Sequence, residues 1–322
     1  MIQIRIITRS EDLPPMRSEQ FFHSPELFRM SEKTSGQTPY MVVAEEDGRV
    51  IAHMLATLRR RGSLFPPYLF TQGRIYGEGE YEPGVNKEEV FQMMLTEITR
   101  RLKRRLCLNI EFSHLSTKMF GYKHFRKEGY FHIRWMEVHN SLHSMPPEER
   151  LDEKMTNRIE NLSRNGVEFK EVKDYDEFRA FYKMLSRFFT LKIRHYTPPE
   201  RQFWEMGQSD SCKLFVTKWK TKVIGGCACV YSNNNAYLWY MASKRKTHPK
   251  LHPSTITVWG AIKHAYRHSC KHIYFMDVGL PFKKSVHRDF ILSFGGKEVS
   301  TYRWFRFTFT WLNRLLSWVH KE

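Results

Sequence analysis

The sequence predicts an α/β (α+β) protein of two tandem domains, each with a mixed, largely antiparallel central sheet flanked by helices. Its 322 residues suit two domains of about 150 residues better than one. Hydrophobic residues make up 41% of the chain and aromatic residues 15%, which is enough for two cores. The strongest indication is the order of elements. Both halves show a hairpin, a strand, a helix, a strand, a short helix and a further strand.

In the first half, alternating apolar residues predict a hairpin over 39–60 that turns at Asp47-Gly48. The Gly- and Pro-rich stretch 62–84 is expected to be a loop with a short strand. The clearest helix spans 87–105, with Asn86 as its N-cap and an apolar stripe at helical spacing. The remaining elements of this half are a strand over 106–113, a short helix that ends at Gly129 and the strand after it.

A polar, charged helix over 148–165, which ends at Asn165-Gly166, is predicted to link the halves. The expected boundaries are 1–145 for the N-terminal domain, 146–166 for the interdomain helix and 167–322 for the C-terminal domain. The second half is expected to contain a hairpin over 212–231, a strand over 236–243, a helix over 254–268 and a strand over 271–279.

The net charge of +18 favours a polyanionic partner: nucleic acid, a phosphate-rich small molecule or an anionic membrane. A basic surface without such a partner explains the charge equally well. The five cysteines are too sparse for a disulfide framework, and Cys227 and Cys229 are expected to be buried and unreactive. A metal site could be suggested by His264, His268, Cys270 and His272, but a basic helix end explains these residues better, so no metal site is predicted.

The N-terminal stretch has charges within its first apolar residues, which is untypical of a signal peptide. The chain also has no run of about 18 apolar residues, so a cytoplasmic location is expected. Residues 308–322 begin as a strand and end as an amphipathic helix. This helix would either contact an anionic membrane at the inner face or dock on the second domain.

Three stretches resemble the tandem-GNAT acyltransferases of the Fem family. KMTNRIENLSRNGVEF (154–169) is similar to the family's basic interdomain helix and the strand that follows it. KVIGGCACVYSNNNAYLWYMAS (222–243) is similar to its glycine-containing hairpin and aromatic strand. YFMDVGLPFKKSVHRDFILSFGG (274–296) is similar to its Asp-x-Gly turn and terminal motif.

The resemblance implies an N-acyltransferase that moves an acyl or aminoacyl group to an amine acceptor, such as a cell-wall precursor or lipid-linked compound of peptidoglycan biosynthesis. The donor would be acyl-CoA or aminoacyl-tRNA. Ile291 stands where the family has a lysine, and a long coiled-coil arm is missing, which favours acyl-CoA slightly. No metal is implied. The N-terminal domain has no matching phosphate loop and is expected not to bind the donor.

Acyl transfer needs a base for the amine and a proton for the leaving group. Asp277 is the expected base, although a carboxylate here could instead cap a turn. Tyr240 would protonate the leaving group, and His252 is a further catalytic candidate; a half-buried strand tyrosine and a surface histidine are the alternatives. The donor-binding residues would be Lys244, Arg245, Lys246, Lys250 and Ser254. The acceptor-binding residues would be Arg158, Arg164, Lys283, Lys284, Arg288 and Arg303; solvated positive faces explain each alone as well.

A second function class stays open. A non-catalytic protein could use the same basic residues to hold nucleic acid or anionic lipid. The discriminating feature is the loop 243–255, which contains no glycine but four cationic residues. A phosphate-sized pocket formed by this loop would favour an enzyme.

Overall fold

Alternating apolar residues form thirteen β-strands in the computed structural model, which describes residues 1–62, 69–189, 197–276 and 278–320. The strands are β1 (Gln3–Ile7), β2 (Gln37–Glu46), β3 (Arg49–Gly62), β4 (Leu69–Tyr76), β5 (Glu80–Tyr81), β6 (Asn109–Ser113), β7 (Phe131–Ser141), β8 (Val167–Glu171), β9 (Cys212–Trp219), β10 (Lys222–Ser232), β11 (Asn235–Ser243), β12 (His272–Phe275) and β13 (Lys297–Phe307).

The same part of the chain contains nine α-helices. They are α1 (Pro25–Glu32), α2 (Lys87–Arg104), α3 (Tyr122–Lys127), α4 (Glu153–Arg164), α5 (Tyr175–Phe189), α6 (Glu200–Gly207), α7 (Pro253–Arg267), α8 (Val286–Leu292) and α9 (Thr310–Val319). None of them combines the length and hydrophobicity that a membrane crossing needs.

Local signals set the ends of the best-predicted elements. Asp47 and Gly48 both have positive φ, 50° and 76°, in the turn between β2 and β3. The side chain of Asn86 accepts a hydrogen bond from the backbone of Glu89, which caps α2. Gly166 follows α4 with a φ of 75°, a conformation that glycine adopts without strain.

The chain forms two compact units, and the first consists of residues 1–135 and 300–322. Its sheet has the strand order β1-β2-β3-β4-β6-β13. The β4–β6 pair is parallel and the other neighbours are antiparallel. Phe91, Phe112 and Trp304 are completely buried in its core.

The second unit consists of residues 136–299 and repeats this arrangement. Its strand order is β8-β9-β10-β11-β12-β7, with β11 and β12 parallel and the others antiparallel. Both units therefore have four antiparallel strands, then a parallel strand, then an antiparallel strand. This equivalence confirms the predicted fold class of two similar mixed sheets flanked by helices.

The strand that completes each sheet comes from a distant part of the sequence. The sequence assigns residues 300–322 to the second domain, but they belong to the first unit. The reason is strand pairing: Trp304 pairs with Phe112 on β6, and its ring stacks on Phe125 with centroids 4.6 Å apart. Residues 138–141 likewise pair with β12 in the second unit, which begins at Met136 and not at the expected boundary after 145. A hydrophobic pattern predicts a strand but not the sheet that the strand joins.

Strand β4 is longer than the short strand expected within 62–84. Its pattern is hidden because Gly73 has no side chain and Arg74 is charged yet buried. A Cβ on Gly73 would lie 2.8 Å from the Leu102 side chain of α2, so the strand and helix approach closely there. Residues 63–68 of the expected loop lie outside the described residues.

The first unit does have a glycine-containing segment between β4 and α2, which corrects the expectation that no such loop exists there. Three glycines in it have positive φ: Gly77, Gly79 and Gly84. The segment is acidic, however, and the Glu80 carboxylate accepts the backbone N–H groups of Glu19 at 2.7 Å and Gln20 at 3.1 Å. Because a carboxylate already binds these donors, a phosphate is disfavoured here.

Candidate active site

The parallel strands β11 and β12 separate partway along the second sheet. Their pairing runs from Asn235↔His272 to Leu238↔Phe275 and stops there, because β12 ends. Strand β11 continues to Ser243, paired with β10 on its other side. The two parallel strands are therefore paired only as far as Leu238, while β11 follows β10 to its end. Backbone groups at such an opening can bind an extended ligand or a carbonyl oxygen.

A β-bulge lies at the point where the strands separate. On β10, Ala228 pairs with Tyr240 and the next residue pairs with Leu238, so Trp239 is the extra residue. The bulge reverses the alternation of side chains, so that Tyr240 lies on the face opposite to Leu238. Leu238 belongs to the core cluster that includes residues of α7. The Tyr240 ring instead packs edge-on against Phe203 of α6, with ring centroids 5.3 Å apart.

The loop after β11 leads directly to the N-terminus of α7. Lys244 donates its backbone N–H to Ile224 at 2.8 Å, which fixes the start of the loop on β10. The hydroxyls of Ser243 and Ser254 are 2.6 Å apart and join the two ends of the loop. His252 precedes α7 with a φ of 33°, a left-handed conformation that non-glycine residues rarely adopt. Such strain is concentrated at ligand sites in proteins.

A polar cleft of about 580 Å³ lies between this loop and helix α4. Its lining includes Arg158 from α4 together with Lys250 and His252 from the loop. Partial desolvation of the His252 ring, and then the positive charge of Arg158, lower the pKa of His252 below its ordinary value. The structure thus brings together Arg158, an expected acceptor contact, Lys250, an expected donor contact, and His252, a catalytic candidate.

The cleft also contains residues that the sequence did not suggest. Helix α4 contributes Lys154 and three asparagines spaced four residues apart: Asn157, Asn161 and Asn165. This spacing places the three amides on one helix face. In the sequence, asparagine recurs at every fourth position of this linker helix. The pattern does not identify a site by itself, because it is also typical of an exposed polar helix face. These amides can donate to phosphate, carbonyl and hydroxyl oxygens.

The other expected donor and acceptor residues lie outside the lining of this cleft. Lys244, Arg245 and Lys246 are exposed on the loop after β11. Arg164 forms a surface ion pair with Glu160 at 3.1 Å. The exposed residues Lys283 and Lys284 precede α8.

Two arginines expected to bind the acceptor are buried and held by the protein's own groups. Arg288 donates to the backbone oxygens of Leu280 at 2.9 Å and Lys283 at 3.4 Å and pairs with Glu298. Arg303 lies in the first unit, 3.5 Å from Glu111 and over the ring of Trp135. Since these contacts hold both buried guanidinium groups in place, their placement favours structural roles.

Asp277 lies outside the described residues, but its neighbours on both sides are fixed. Met276 and Val278 are 5% and 2% exposed. The oxygen of Gly279 accepts the backbone N–H of Met136 at 3.0 Å, which ties Gly279 to β7. In the sequence, Asp277 comes two residues after the end of β12.

The histidines that could suggest a metal site contact other side chains. Nδ1 of His264 lies 2.6 Å from the Tyr231 hydroxyl, and its Nε2 lies 3.0 Å from Nε2 of His268. Burial, followed by the nearby charge of His268, lowers the pKa of His264 to about 4. The cysteine pair Cys227 and Cys229 is completely buried, as expected.

Comparison with known families finds a match within the second unit. Residues 150–284 match the sequence profile of the acetyltransferase (GNAT) domain. This match covers β8 to β12 and includes the bulge, the loop and the cleft. No curated protein matches the chain by sequence.

Three solved structures share the fold over nearly the whole chain. FemX has a TM-score of 0.63 at 12% identity, with 95% of each chain covered. The C-terminal domain of an Agrobacterium fabrum protein that carries the name lysylphosphatidylglycerol synthetase has a TM-score of 0.61 at 11% identity, covering 92% of this chain and 91% of that one. A tandem GNAT protein from the clavulanic acid biosynthesis pathway has a TM-score of 0.60 at 9% identity, covering 96% and 99%. The expectation of an enzyme of the acyltransferase class is confirmed, and residues 150–284 carry an acetyltransferase domain of the GNAT type.

Proposed function

We propose that the protein transfers an acyl group from acyl-CoA to an amine, with the chemistry in the second unit. The observation that carries this proposal is the opening between β11 and β12 with its bulge at Trp239, within the segment that matches the acetyltransferase domain. An opened parallel pair presents backbone N–H groups where the carbonyl oxygen of a thioester gains negative charge.

The reaction joins the amine nitrogen to the carbonyl carbon and breaks the carbon–sulfur bond of the donor. Asp277 would accept the proton that the amine loses, because it follows β12 at the opening. Tyr240 would give a proton to the leaving thiolate, since it directly follows the bulge at the end of the β11–β12 pairing. His252 has a lowered pKa and would act as a neutral hydrogen-bonding group near the donor.

The cleft between α4 and the loop is proposed to hold the phosphates of the donor. Lys250 and Arg158 supply positive charge, and the asparagines of α4 supply neutral donors. The loop contributes Lys244, Arg245, Lys246 and Ser254 at its rim. Arg164, Lys283 and Lys284 stay proposed contacts for an anionic acceptor. In the first unit, the loop after β4 is acidic, which supports the proposal that this unit does not bind the donor.

The donor could also be an aminoacyl-tRNA, and the acceptor could be lipid-linked. The fold shared with FemX and with a lysylphosphatidylglycerol synthetase supports these variants of the same reaction. We favour acyl-CoA because Ile291, at the position of the family's lysine, is completely buried in the core. Both donors are cytoplasmic compounds, so we place the reaction in the cytoplasm.

Coenzyme A is expected to raise the melting temperature of the full chain. At 100 times its dissociation constant, a ligand that binds only the folded state stabilises it by about 2.7 kcal/mol. The double variant Arg158→Gln/Lys250→Gln should lose most of this shift, because both cations line the cleft. The measurement is a thermal-shift titration with coenzyme A, acetyl-CoA and a charged tRNA.

The control for this titration is Arg201→Gln, which removes an exposed cation of α6 that pairs with Glu205. This variant should keep the full shift. If coenzyme A causes no shift while charged tRNA does, the donor is aminoacyl-tRNA. If neither does, and no acyl transfer to amines is detected by mass spectrometry, the catalytic proposal is wrong.

His252→Gly is expected to keep the fold and to lower the rate of acyl transfer about 10-fold, below the 10²–10⁴-fold range typical of a full general base. Glycine adopts positive φ without a steric penalty, so the variant relieves about 1 kcal/mol of backbone strain while it removes the imidazole. Melting temperature and steady-state rate are measured together, with His248→Gly as the matched control in the same loop. A full rate for His252→Gly would exclude a role for the ring.

A further inference from the structure

Helix α9 presents a row of large apolar side chains to solvent. Trp311, Leu315, Trp318 and Val319 are spaced i, i+4, i+7 and i+8 and thus share one helix face. Trp311 is 68% exposed and Trp318 69%. Exposed tryptophans on a fixed helix need a partner, because they leave a large apolar area in water.

The opposite side of α9 is fixed to the first unit. The Asn313 side chain donates to the backbone oxygen of Gly129 at 2.9 Å and accepts the N–H of Phe307 at 2.8 Å. The ring of His320 stacks on Phe131 with centroids 6.0 Å apart. The outward direction of the tryptophans is therefore set by the docking of the helix.

Two further exposed apolar residues lie beside this face. Phe309 immediately precedes the helix and is 54% exposed. Leu106 is 78% exposed and precedes Cys107, whose backbone oxygen accepts the Thr308 hydroxyl. The apolar surface thus extends from α9 to the turn that follows α2.

Exposed cations surround this apolar surface. The contacts of Thr308 with Cys107 and Leu108 bring α9 close to the end of α2, and the contact of Asn313 with Gly129 brings it close to the end of α3. Glu128, at the end of α3, accepts a hydrogen bond from the Thr96 hydroxyl. No carboxylate of the described residues pairs with these cations, which are Lys103, Arg104, Arg105, Arg126, Lys127 and Arg314.

We propose that α9, with Leu106, Phe309 and these six cations, forms a surface that binds the interface of an anionic lipid bilayer. Tryptophan and leucine side chains insert between headgroups, while lysine and arginine attract anionic lipids. A second copy of this chain fits less well, because a two-fold contact would bring the six cations of each copy together. A nucleic acid would be attracted by the cations, but it would leave the apolar side chains of Leu315 and Val319 exposed to water.

The surface belongs to the first unit, for which we propose no donor binding. It therefore supplies a role for that unit: to hold the enzyme at a bilayer. Given the proposed function, this location favours an amine carried by a lipid as the acceptor. This last step rests on the acyl-transfer proposal, whereas bilayer binding itself does not.

The test is co-sedimentation of the full chain with vesicles of equal parts phosphatidylglycerol and phosphatidylethanolamine, and with vesicles of phosphatidylcholine alone. We expect strong binding to the anionic vesicles and weak binding to the neutral ones. Trp311→Ala/Trp318→Ala should lower the anionic partition coefficient about 10-fold or more. Arg104→Gln/Arg105→Gln/Lys127→Gln should lower it about 100-fold.

Matched controls lie in the second unit. Phe282→Ala removes a side chain that is 76% exposed, and Lys220→Gln/Lys222→Gln removes two exposed cations of a hairpin. Both controls should bind vesicles like the unchanged protein. Equal binding to neutral and anionic vesicles, or equal losses in the controls, overturns the proposal.

Light scattering and a tRNA gel shift test the two other candidate partners of this surface, a second copy of the chain and a nucleic acid. If the tryptophan variant turns a dimer into a monomer and the unchanged protein ignores vesicles, the surface is a self-association interface and the proposal is wrong. If the cation variant loses tRNA and vesicles were never bound, the partner is RNA. If the tryptophan or cation variants lose vesicle binding but retain acyl transfer to a soluble amine, the result supports the proposed bilayer-binding surface and leaves the proposed function intact.

Discussion

Glu111→Gln is expected to lower the free energy of unfolding of the first unit by about 3–5 kcal/mol, because it removes the carboxylate that faces two buried guanidinium groups. Glu111 is 7% exposed, and its partners Arg74 and Arg303 are 8% and 7% exposed. Burial by itself would lower the pKa of Arg74, but the Glu111 carboxylate raises it above its ordinary value.

The strand register explains why this change should be so costly. Arg74 on β4 lies directly opposite Glu111 on β6, and Arg303 approaches from β13 at 3.5 Å. Glutamine has nearly the same size as glutamate and keeps one oxygen acceptor, so the substitution mainly removes the negative charge. The remaining contacts include the Ser113 hydroxyl, 2.9 Å from Arg74, and the Trp135 ring under Arg303, and neither of these groups carries a negative charge.

The measurement is urea unfolding of the full chain, and the matched control is Glu45→Gln. Glu45 pairs with Arg5 at 2.9 Å, but the Arg5 side chain is 52% exposed, so the loss should be about 0–1 kcal/mol. Similar unfolding midpoints for the two variants would mean that water reaches the buried cations and that the ion-pair argument is wrong.

Much of the fold could be predicted because its signals are local. The Asp47-Gly48 turn and the Asn86 cap depend on residues within a few positions of each other, and sequence shows such relations directly. Strand β4 could not be recognised in this way, since the reason for burying Arg74 is Glu111, on another strand. The same holds for residues 300–307, whose partner strand lies about 190 residues earlier.

The candidate site shows the same limit. Sequence could identify Lys250 and His252 as residues of a basic loop, and it could identify Arg158 as part of a basic helix. Only the fold brings them into one cleft. Charge alone could not distinguish these cations from Arg288, whose guanidinium holds the backbone of the turn after β12.

Asp277→Asn is expected to lower the single-turnover rate of acyl transfer by about 10²–10⁴-fold, the usual contribution of a general base. Asparagine retains a carbonyl oxygen that can accept backbone hydrogen bonds, so the turn after β12 should persist. It cannot take a proton from the amine. The variant therefore separates the two roles that a carboxylate at this position can have.

A turn-capping role predicts the opposite pattern from a catalytic one. If Asp277 only caps the turn, Asn should preserve the rate, whereas Asp277→Ala should lower both the rate and the melting temperature. If Asp277 is the base, Asn and Ala should lower the rate alike, with an unchanged melting temperature for Asn. Asp289→Asn, an exposed carboxylate in α8, is the control and should be neutral in both measurements. Met276 and Val278, which precede and follow position 277, are both buried, and Met136 binds the oxygen of Gly279, so the Asn result can be compared with an unchanged environment on both sides of the position.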